Sequence, residues 1–125
     1  MALEWFRSYL TGRHFRVKVG DYRSDPHPLR CGIPQGSVLG PPLFNMYTAP
    51  LMSIVRRHGL SYHKYADDMQ IFGDFDPTSD ADRLCCQQRL QNCQTKIRAW
   101  MLSCMLKING DKTELMVFMN PQQAK

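Results

Sequence analysis

The chain has 125 residues, of which 43% are hydrophobic, and this is enough apolar material for one modest core. Its 16 Lys and Arg residues exceed its 11 Asp and Glu residues, and the net charge of +5 favours a polyanionic partner such as nucleic acid. No apolar run reaches membrane-spanning length, and Glu4 and Arg7 interrupt the position of a signal-peptide core, so the composition excludes membrane and secreted proteins.

The N-terminal region begins with a helix pattern. Residues 2–10 have the apolar spacing of an amphipathic helix, and we expect Trp5 and Phe6 to lie in the core. Residues 15–19 then alternate apolar and basic side chains, which predicts a strand, and residues 20–23 predict a turn with a second short strand. The basic face of this strand either stays in solvent or approaches a nucleic-acid backbone, and the sequence leaves both open.

A proline-containing break and a glycine-rich loop come next. Residues 25–28 carry two prolines, which restrict the chain before them and cannot donate a backbone hydrogen bond. The loop that follows contains Gln35, Gly36 and Ser37. Glycine lets a backbone approach a base pair closely, and glutamine offers both a donor and an acceptor, so this tripeptide suits contact with a nascent base pair. The alternative is that its glycine only shapes a loop before a helix.

The apolar spacing after this loop predicts a second helix. We expect it to begin near Gly40 and Pro41, because proline is favoured at the first helical position, and to end near Arg57. Pro50 lies inside this pattern and removes one helical hydrogen bond. We therefore expect it to kink or divide the helix.

The sequence Tyr65-Ala66-Asp67-Asp68 lies between two short segments rich in aromatic and β-favouring residues, which predicts a β-hairpin with both aspartates at its turn. Neighbouring side chains of a straight strand point to opposite faces, whereas a turn lets two carboxylates approach one region. Two such anions suit Mg²⁺, which keeps water and substrate phosphates as its other ligands. Because aspartate is common in turns, an ordinary solvated turn is the alternative.

The clearest helix pattern runs from Arg83 to Met105, after residues 76–79 that offer several caps. Its apolar seam includes three of the five cysteines, which we interpret as small apolar residues instead of metal or redox ligands: Cys86, Cys93 and Cys104. The odd number of cysteines and the absence of paired Cys-x-x-Cys units indicate reduced thiols in an intracellular protein. The sequence does not decide between nucleus and cytoplasm.

Residues 109–110 predict a tight turn, residues 114–118 a strand that pairs with the hairpin, and residues 121–125 a frayed tail. Together these elements predict an α+β fold. We expect one antiparallel sheet carrying the hairpin, with the helices at residues 43–57 and 83–105 packed on one face.

Three stretches resemble, in this order and at this spacing, the palm subdomain of reverse transcriptases, most closely those of non-LTR (LINE-like) retrotransposons. They are G-I-P-Q-G-S-V-L-G-P-P-L-F at residues 32–44, Y-A-D-D at residues 65–68 and L-K-I-N-G-D-K-T-E at residues 106–114. The resemblance covers nearly the whole chain. It departs from the family at Ala49-Pro50, where polar or acidic residues are usual.

The resemblance implies an RNA-directed DNA polymerase that transfers nucleotides with two Mg²⁺ ions, for which Mn²⁺ can substitute. Its implied partners are an RNA template, a DNA primer and deoxynucleoside triphosphates. It further implies that Asp67 and Asp68 are catalytic metal ligands and that Tyr65 and Ala66 support the primer end.

Two further elements acquire implied roles from the same resemblance. Gln35, Gly36 and Ser37 would face the template base and the incoming nucleotide. Lys112 would serve as a cation or proton donor toward pyrophosphate. An ordinary solvated turn lysine is the alternative for Lys112, since lysines are mostly exposed.

The resemblance implies that residues 1–125 are a partial reverse transcriptase domain, the palm. We expect the fingers, the thumb and a first carboxylate motif, upstream of the segment matching residues 3–6, to come from the remainder of the polymerase polypeptide. The isolated chain should therefore not polymerise. The competing hypotheses are a non-catalytic nucleic-acid-binding remnant of a retrotransposon and an unrelated α+β domain with a coincidental Asp-Asp turn.

Overall fold

The computed structural model describes residues 1–118, and contacts divide the chain into two compact units after Pro41. The first unit contains helix α1 (Ala2–Leu10) and the strands β1 (His14–Phe15), β2 (Lys18–Val19), β3 (Tyr22–Arg23) and β4 (His27–Pro28). Helix α2 (Gly40–Thr48) begins at the boundary. It is followed by α3 (Pro50–Arg57), β5 (Ser61–Tyr65), β6 (Asp68–Phe72), α4 (Asp80–Ser103) and a 3₁₀ turn (Gly110–Lys112).

Helix α1 has the predicted bounds, but the prediction that Trp5 and Phe6 lie in a core is wrong. None of residues 1–41 is buried, and Trp5 is 52% exposed. Its indole stacks on the Tyr9 ring at 5.9 Å between ring centres instead. One nine-residue helix beside two-residue strands has too little apolar surface to enclose an indole.

The short strands of the first unit confirm one prediction and correct another. β2 and β3 pair antiparallel across the predicted turn, with Lys18 opposite Arg23. The proline-containing segment is not a simple break, because β4 pairs antiparallel with β1 and Pro28 lies opposite His14. Both strands of a two-stranded sheet are edges, and an edge position tolerates proline because its missing donor need not face a neighbour.

The core lies in the second unit, where α3 and α4 pack on each other and on one face of the β5–β6 hairpin. Its buried members come from α3, α4 and the loop between α3 and β5: Leu51, Val55, Leu60, Cys93 and Ile97. The hairpin contributes Tyr62, Met69 and Ile71, which are partly buried against this cluster. α3 and α4 therefore cover one face of this hairpin.

The predicted division at Pro50 is also confirmed. α2 ends at Thr48 and α3 begins at Pro50, with Ala49 between them. The first turn of a helix has no intrahelical acceptors for its N–H groups, so proline costs nothing there. Beyond the other end of α3, Gly59 has a φ of +64°, a conformation that side chains disfavour and glycine adopts readily.

Helix α4 begins three residues earlier than predicted because Ser79 caps it. The Ser79 hydroxyl accepts a hydrogen bond from the Asp82 amide at 3.2 Å. Cys86 and Cys93 are buried on its apolar seam, as predicted. Burial raises the pKa of the Cys93 thiol, which favours the neutral form expected of a small apolar residue.

The single sheet of the prediction is wrong. Within residues 1–118 the strands form three separate two-stranded antiparallel sheets, and residues 113–118 form no strand. The apolar side chains of residues 115–118 are exposed, so this segment has the composition of a strand without a paired neighbour. The architecture is thus a mixture of helices and small antiparallel sheets, as in an α+β protein. The predicted tail at residues 121–125 lies outside the described residues. No helix of residues 1–118 is both long and apolar enough to cross a bilayer.

Candidate functional site

The β5–β6 hairpin closes through a two-residue connection. Tyr65 lies opposite Asp68, and only Ala66 and Asp67 join the strands. Ala66 has a φ of +53°, which is uncommon for a residue with a side chain. Backbone strain of this kind is concentrated at functional sites and in tight turns, and Ala66 lies in a tight turn at the candidate site.

The two aspartates occupy different positions, which corrects the prediction that both lie at the turn. Asp67 is in the connection, whereas Asp68 is the first residue of β6. Both are exposed. The ion pairs found within residues 1–118 involve other acids, Glu4 and Asp80, so no basic side chain neutralises either carboxylate. The hairpin therefore ends in two adjacent, solvent-facing negative charges.

The exposed face of the hairpin continues from Asp68 along both strands. Burial alternates along β5 and β6, so the exposed residues are every second one. Tyr65 is 84% exposed, and the His63 and Phe72 rings stack at 5.2 Å between centres on the same face. Exposed aromatic rings on this face offer flat surface on which nucleic-acid bases can stack.

Gln35 and Gly36 form the centre of a tight turn in the first unit. The Ser37 amide donates to the Pro34 carbonyl at 3.1 Å, and Gly36 has a φ of +85°. A type II turn requires this conformation at its third residue, which explains the glycine. A Cβ at Gly36 would meet no atom within 4 Å, so the conformation, not crowding, selects glycine. The Gln35 side chain is exposed.

Ser37 is held by a contact that the sequence analysis missed. Its hydroxyl shares a short hydrogen bond with the Tyr9 hydroxyl from α1, and either can donate. The Tyr9 ring also stacks on Trp5, one helical turn earlier. The i, i+4 spacing of these two aromatic residues was the available signal, since such pairs meet on a helix surface. α1 thus anchors the end of the Gln35-Gly36 turn.

Lys112 is the last residue of the 3₁₀ turn and is exposed. The Thr113 hydroxyl donates to the Asn109 carbonyl at 2.9 Å, and its amide donates to the Gly110 carbonyl at 3.1 Å. The turn predicted at residues 109–110 therefore exists as a 3₁₀ turn one residue further along. Among the predicted site residues, the structure brings Tyr65, Ala66, Asp67 and Asp68 together at one hairpin end, while Gln35, Gly36 and Ser37 share a turn of the other unit.

The hairpin carboxylates can supply part of a metal site. Within residues 1–118, no group of three or more His, Cys, Asp or Glu side chains could hold a metal ion. Mg²⁺ is typically bound by one or two carboxylates, with water and substrate phosphates as its remaining ligands. Asp67 and Asp68 fit that pattern as a partial ligand set, because both are exposed and neither is paired with a cation.

The whole chain, residues 1–125, matches the family described as Reverse transcriptase (RNA-dependent DNA polymerase). It is 37% identical over 112 residues to the probable RNA-directed DNA polymerase from transposon BS of Drosophila melanogaster, a match that covers 86% of this chain. It is 29% identical over 119 residues to the RNA-directed DNA polymerase from mobile element jockey of the same species, covering 91% of this chain.

In both comparisons the chain spans 12% of the relative's length. No solved structure matches the chain. The sequence resemblance to retrotransposon polymerases is nevertheless confirmed by the family match and by both relatives. This chain belongs to the reverse transcriptase family, and its relatives are the polymerases of non-LTR, LINE-like retrotransposons.

Proposed function

We propose that this chain is the palm segment of a retrotransposon reverse transcriptase and that Asp67 and Asp68 are its catalytic carboxylates. The observation that carries the proposal is the hairpin end, where two exposed carboxylates without cationic partners adjoin a face of exposed aromatic rings. Because the chain belongs to this family, the proposed reaction is the addition of deoxynucleotides to a DNA primer along an RNA template.

The roles of the individual residues follow from their positions. Asp67 and Asp68 would hold Mg²⁺, which when bound activates the attacking hydroxyl and stabilises the leaving pyrophosphate. The exposed Tyr65 ring and the Ala66 backbone would support the primer end.

The turn of the first unit would contact the template base and the incoming nucleotide. Gln35 is exposed and carries both a donor and an acceptor, and the adjacent Gly36 leaves the backbone accessible. The Ser37 hydroxyl is already bonded to Tyr9, so it would act chiefly by fixing the turn. Lys112 would supply an exposed positive charge toward the triphosphate.

The metal-ligand assignment can be tested on the 125-residue chain with Mn²⁺, whose unpaired electrons broaden nearby NMR signals. We expect broadening of the amides of residues 65–69 that Asp67→Asn and Asp68→Asn each weaken. Asp21→Asn is the matched control, because Asp21 is an exposed aspartate at the turn of the β2–β3 hairpin. Broadening of the amides around Asp21 equal to that of residues 65–69 would reject the assignment. So would broadening of residues 65–69 that is unchanged in the two hairpin variants.

The polymerase assignment needs a longer protein. We expect no primer extension by the isolated chain in Mg²⁺. Placed in the transposon BS polymerase instead of the matching segment, the chain should support extension, and Asp67→Asn should reduce it roughly a hundredfold or more, as for other groups that stabilise transition-state charge. Robust extension by the isolated chain, or an active Asp67→Asn chimera, would contradict the proposal.

The basic strands of the first unit favour a second candidate function, binding of nucleic acid without chemistry. Arg16, Lys18 and Arg23 are exposed, and Lys18 and Arg23 are paired across β2 and β3. In this case nucleic-acid binding would weaken steeply with salt and would be indifferent to Asp67→Asn and Asp68→Asn. Loss of Mn²⁺ binding in those variants distinguishes the catalytic proposal from this one.

A further inference from the structure

Lys64 lies on the packed face of β5, where strand alternation calls for an apolar side chain. It shares this half-buried face with Tyr62 and lies opposite Met69, both of which pack against the core. Lysine is rarely found in such positions without partners for its charge. It is also the packed-face residue of β5 nearest to the turn that carries Asp67.

The Lys64 ammonium is satisfied entirely by α2. Its Nζ donates to Asn45 Oδ1 at 3.0 Å and to Thr48 Oγ1 at 2.5 Å, and it lies 5.4 Å from the centre of the Phe44 ring. Thr48 is 1% exposed, and its hydroxyl donates to the Phe44 carbonyl at 2.7 Å, so its oxygen is free to accept from Lys64. No acid among residues 1–118 forms an ion pair with Lys64.

We propose that Lys64 is a positioning residue, which fastens the carboxylate end of the hairpin to α2. Its three donors meet an amide oxygen, a hydroxyl oxygen and an aromatic face. The next residue in β5 is Tyr65, and the connection with Asp67 follows directly. The inference rests on the proposed function, because it assigns to Lys64 the task of holding Asp67 and Asp68 in place for a metal ion.

A positioning role of Lys64 and a purely electrostatic effect of its charge predict opposite changes in cation binding at the hairpin. If Lys64 affected the carboxylates only through its positive charge, its removal would strengthen cation binding at the hairpin. If it fastens the hairpin, removal weakens cation binding. Thr48→Val and Asn45→Ala separate the two further, since each keeps the lysine charge but removes one of its acceptors on α2.

The test compares Lys64→Met, Thr48→Val and Asn45→Ala in the full 125-residue chain by NMR. Lys18→Met is the matched control, because Lys18 is an exposed strand lysine of the same charge. We expect amide hydrogen exchange of residues 65–69 to accelerate roughly tenfold in Lys64→Met, the effect of losing a charge-assisted hydrogen bond. The amides of α4 and the Lys18→Met chain should stay within about twofold of wild type.

The second readout is Mn²⁺ affinity at the hairpin, measured by the broadening of residues 65–69. We expect Lys64→Met to weaken it roughly tenfold, as for other groups that orient metal ligands, and Thr48→Val or Asn45→Ala to act in the same direction. Asn45 is exposed, so Asn45→Ala remains informative if Thr48→Val disturbs the packing.

Three results would overturn the inference: unchanged exchange at residues 65–69, acceleration spread equally through α4, or tighter Mn²⁺ binding by Lys64→Met. A wild-type chain without Mn²⁺ broadening at the hairpin is a different outcome. It would reject the proposed function and Lys64's role toward a metal, whereas the exchange measurement would still decide whether Lys64 fastens the hairpin to α2.

Discussion

Gly73, the residue after β6, gives the sharpest prediction about how the hairpin is packed. A Cβ built at this position would lie 2.8 Å from Leu60 Cδ2 and 3.1 Å from Cys86 Sγ. Leu60 is 5% exposed and Cys86 is 3% exposed, so both side chains are enclosed by neighbouring atoms. Gly73→Ala should therefore force a shift at the junction of the hairpin, the loop before it and α4.

The expected cost follows from the size of this overlap. Carbon atoms in contact are normally separated by about 3.5–4.0 Å, so the Leu60 contact is too short by roughly an ångström. Overpacking of a well-packed core by one methyl group costs about 1–3 kcal/mol. For a domain of this size a loss of about 2 kcal/mol shifts the urea midpoint by roughly 1 M.

Urea unfolding followed by circular dichroism measures this loss. Gly110→Ala is the matched control, because a Cβ there meets nothing within 4 Å and its φ is not in the left-handed region. We expect that control to be neutral or slightly stabilising. Leu60→Val should partly rescue Gly73→Ala, since it removes the δ-methyl that causes the overlap. Equal stability of Gly73→Ala and Gly110→Ala, or strictly additive effects of Gly73→Ala and Leu60→Val, would refute the argument.

Two further predictions concern titratable groups. Iodoacetamide at pH 8 should modify the exposed Cys31 and Cys85 well before Cys93, whose thiol is buried and has a raised pKa; equal rates by mass spectrometry would contradict this. Thr78→Ala should raise the pKa of Asp76 toward its ordinary value of 3.8, measured by carboxyl-carbon NMR, because the Thr78 hydroxyl and amide both donate to Asp76 Oδ1. Because the pKa of Asp76 is lowered in the folded state, the stability that its carboxylate contributes is complete above the unfolded-state pKa. That contribution is lost as the pH falls through the folded-state pKa. The part of the stability lost in Thr78→Ala that is due to Asp76 should therefore vanish in strong acid.

The elements that the sequence predicted well are those fixed by neighbouring residues. Pro50 divides a helix because its ring and missing donor act within one turn, and Ser79 caps α4 through the amide three residues later. The hairpin is equally local, since two β-favouring segments flank a two-residue connection.

The predictions that failed depend on partners far away in the sequence. Trp5 has the spacing of a core residue, but none of residues 1–41 is buried. Residues 114–118 have the composition of a strand and find no paired neighbour. Hydrophobic periodicity reports which face of an element is apolar, whereas the surface that covers this face is set by the tertiary fold.

The candidate site shows the same division between local and distant signals. Asp67 and Asp68 were identified from their own motif, and both are exposed. The placement of Asp68 in the strand was missed, because the composition of the flanking segments does not fix the exact number of residues in the connection. Lys64 could have been noticed from its alternation with Tyr62, but its acceptors on α2 lie 16 and 19 residues away.

The register of the hairpin explains why both carboxylates remain in solvent. With Tyr65 opposite Asp68, the packed face carries Tyr62, Lys64, Met69 and Ile71, and Asp68 points the other way. A slip of one residue in either strand would turn that strand's polar face toward the core and its packed residues outward. In β6 this would turn Asp68 onto the packed face and move Met69 and Ile71 out into solvent, so the burial of two apolar side chains would be lost. In β5 it would also break the bonds of Lys64 to α2. The apolar residues and Lys64 therefore specify the same register, and that register is the one that leaves Asp68 beside Asp67 on the exposed end of the hairpin.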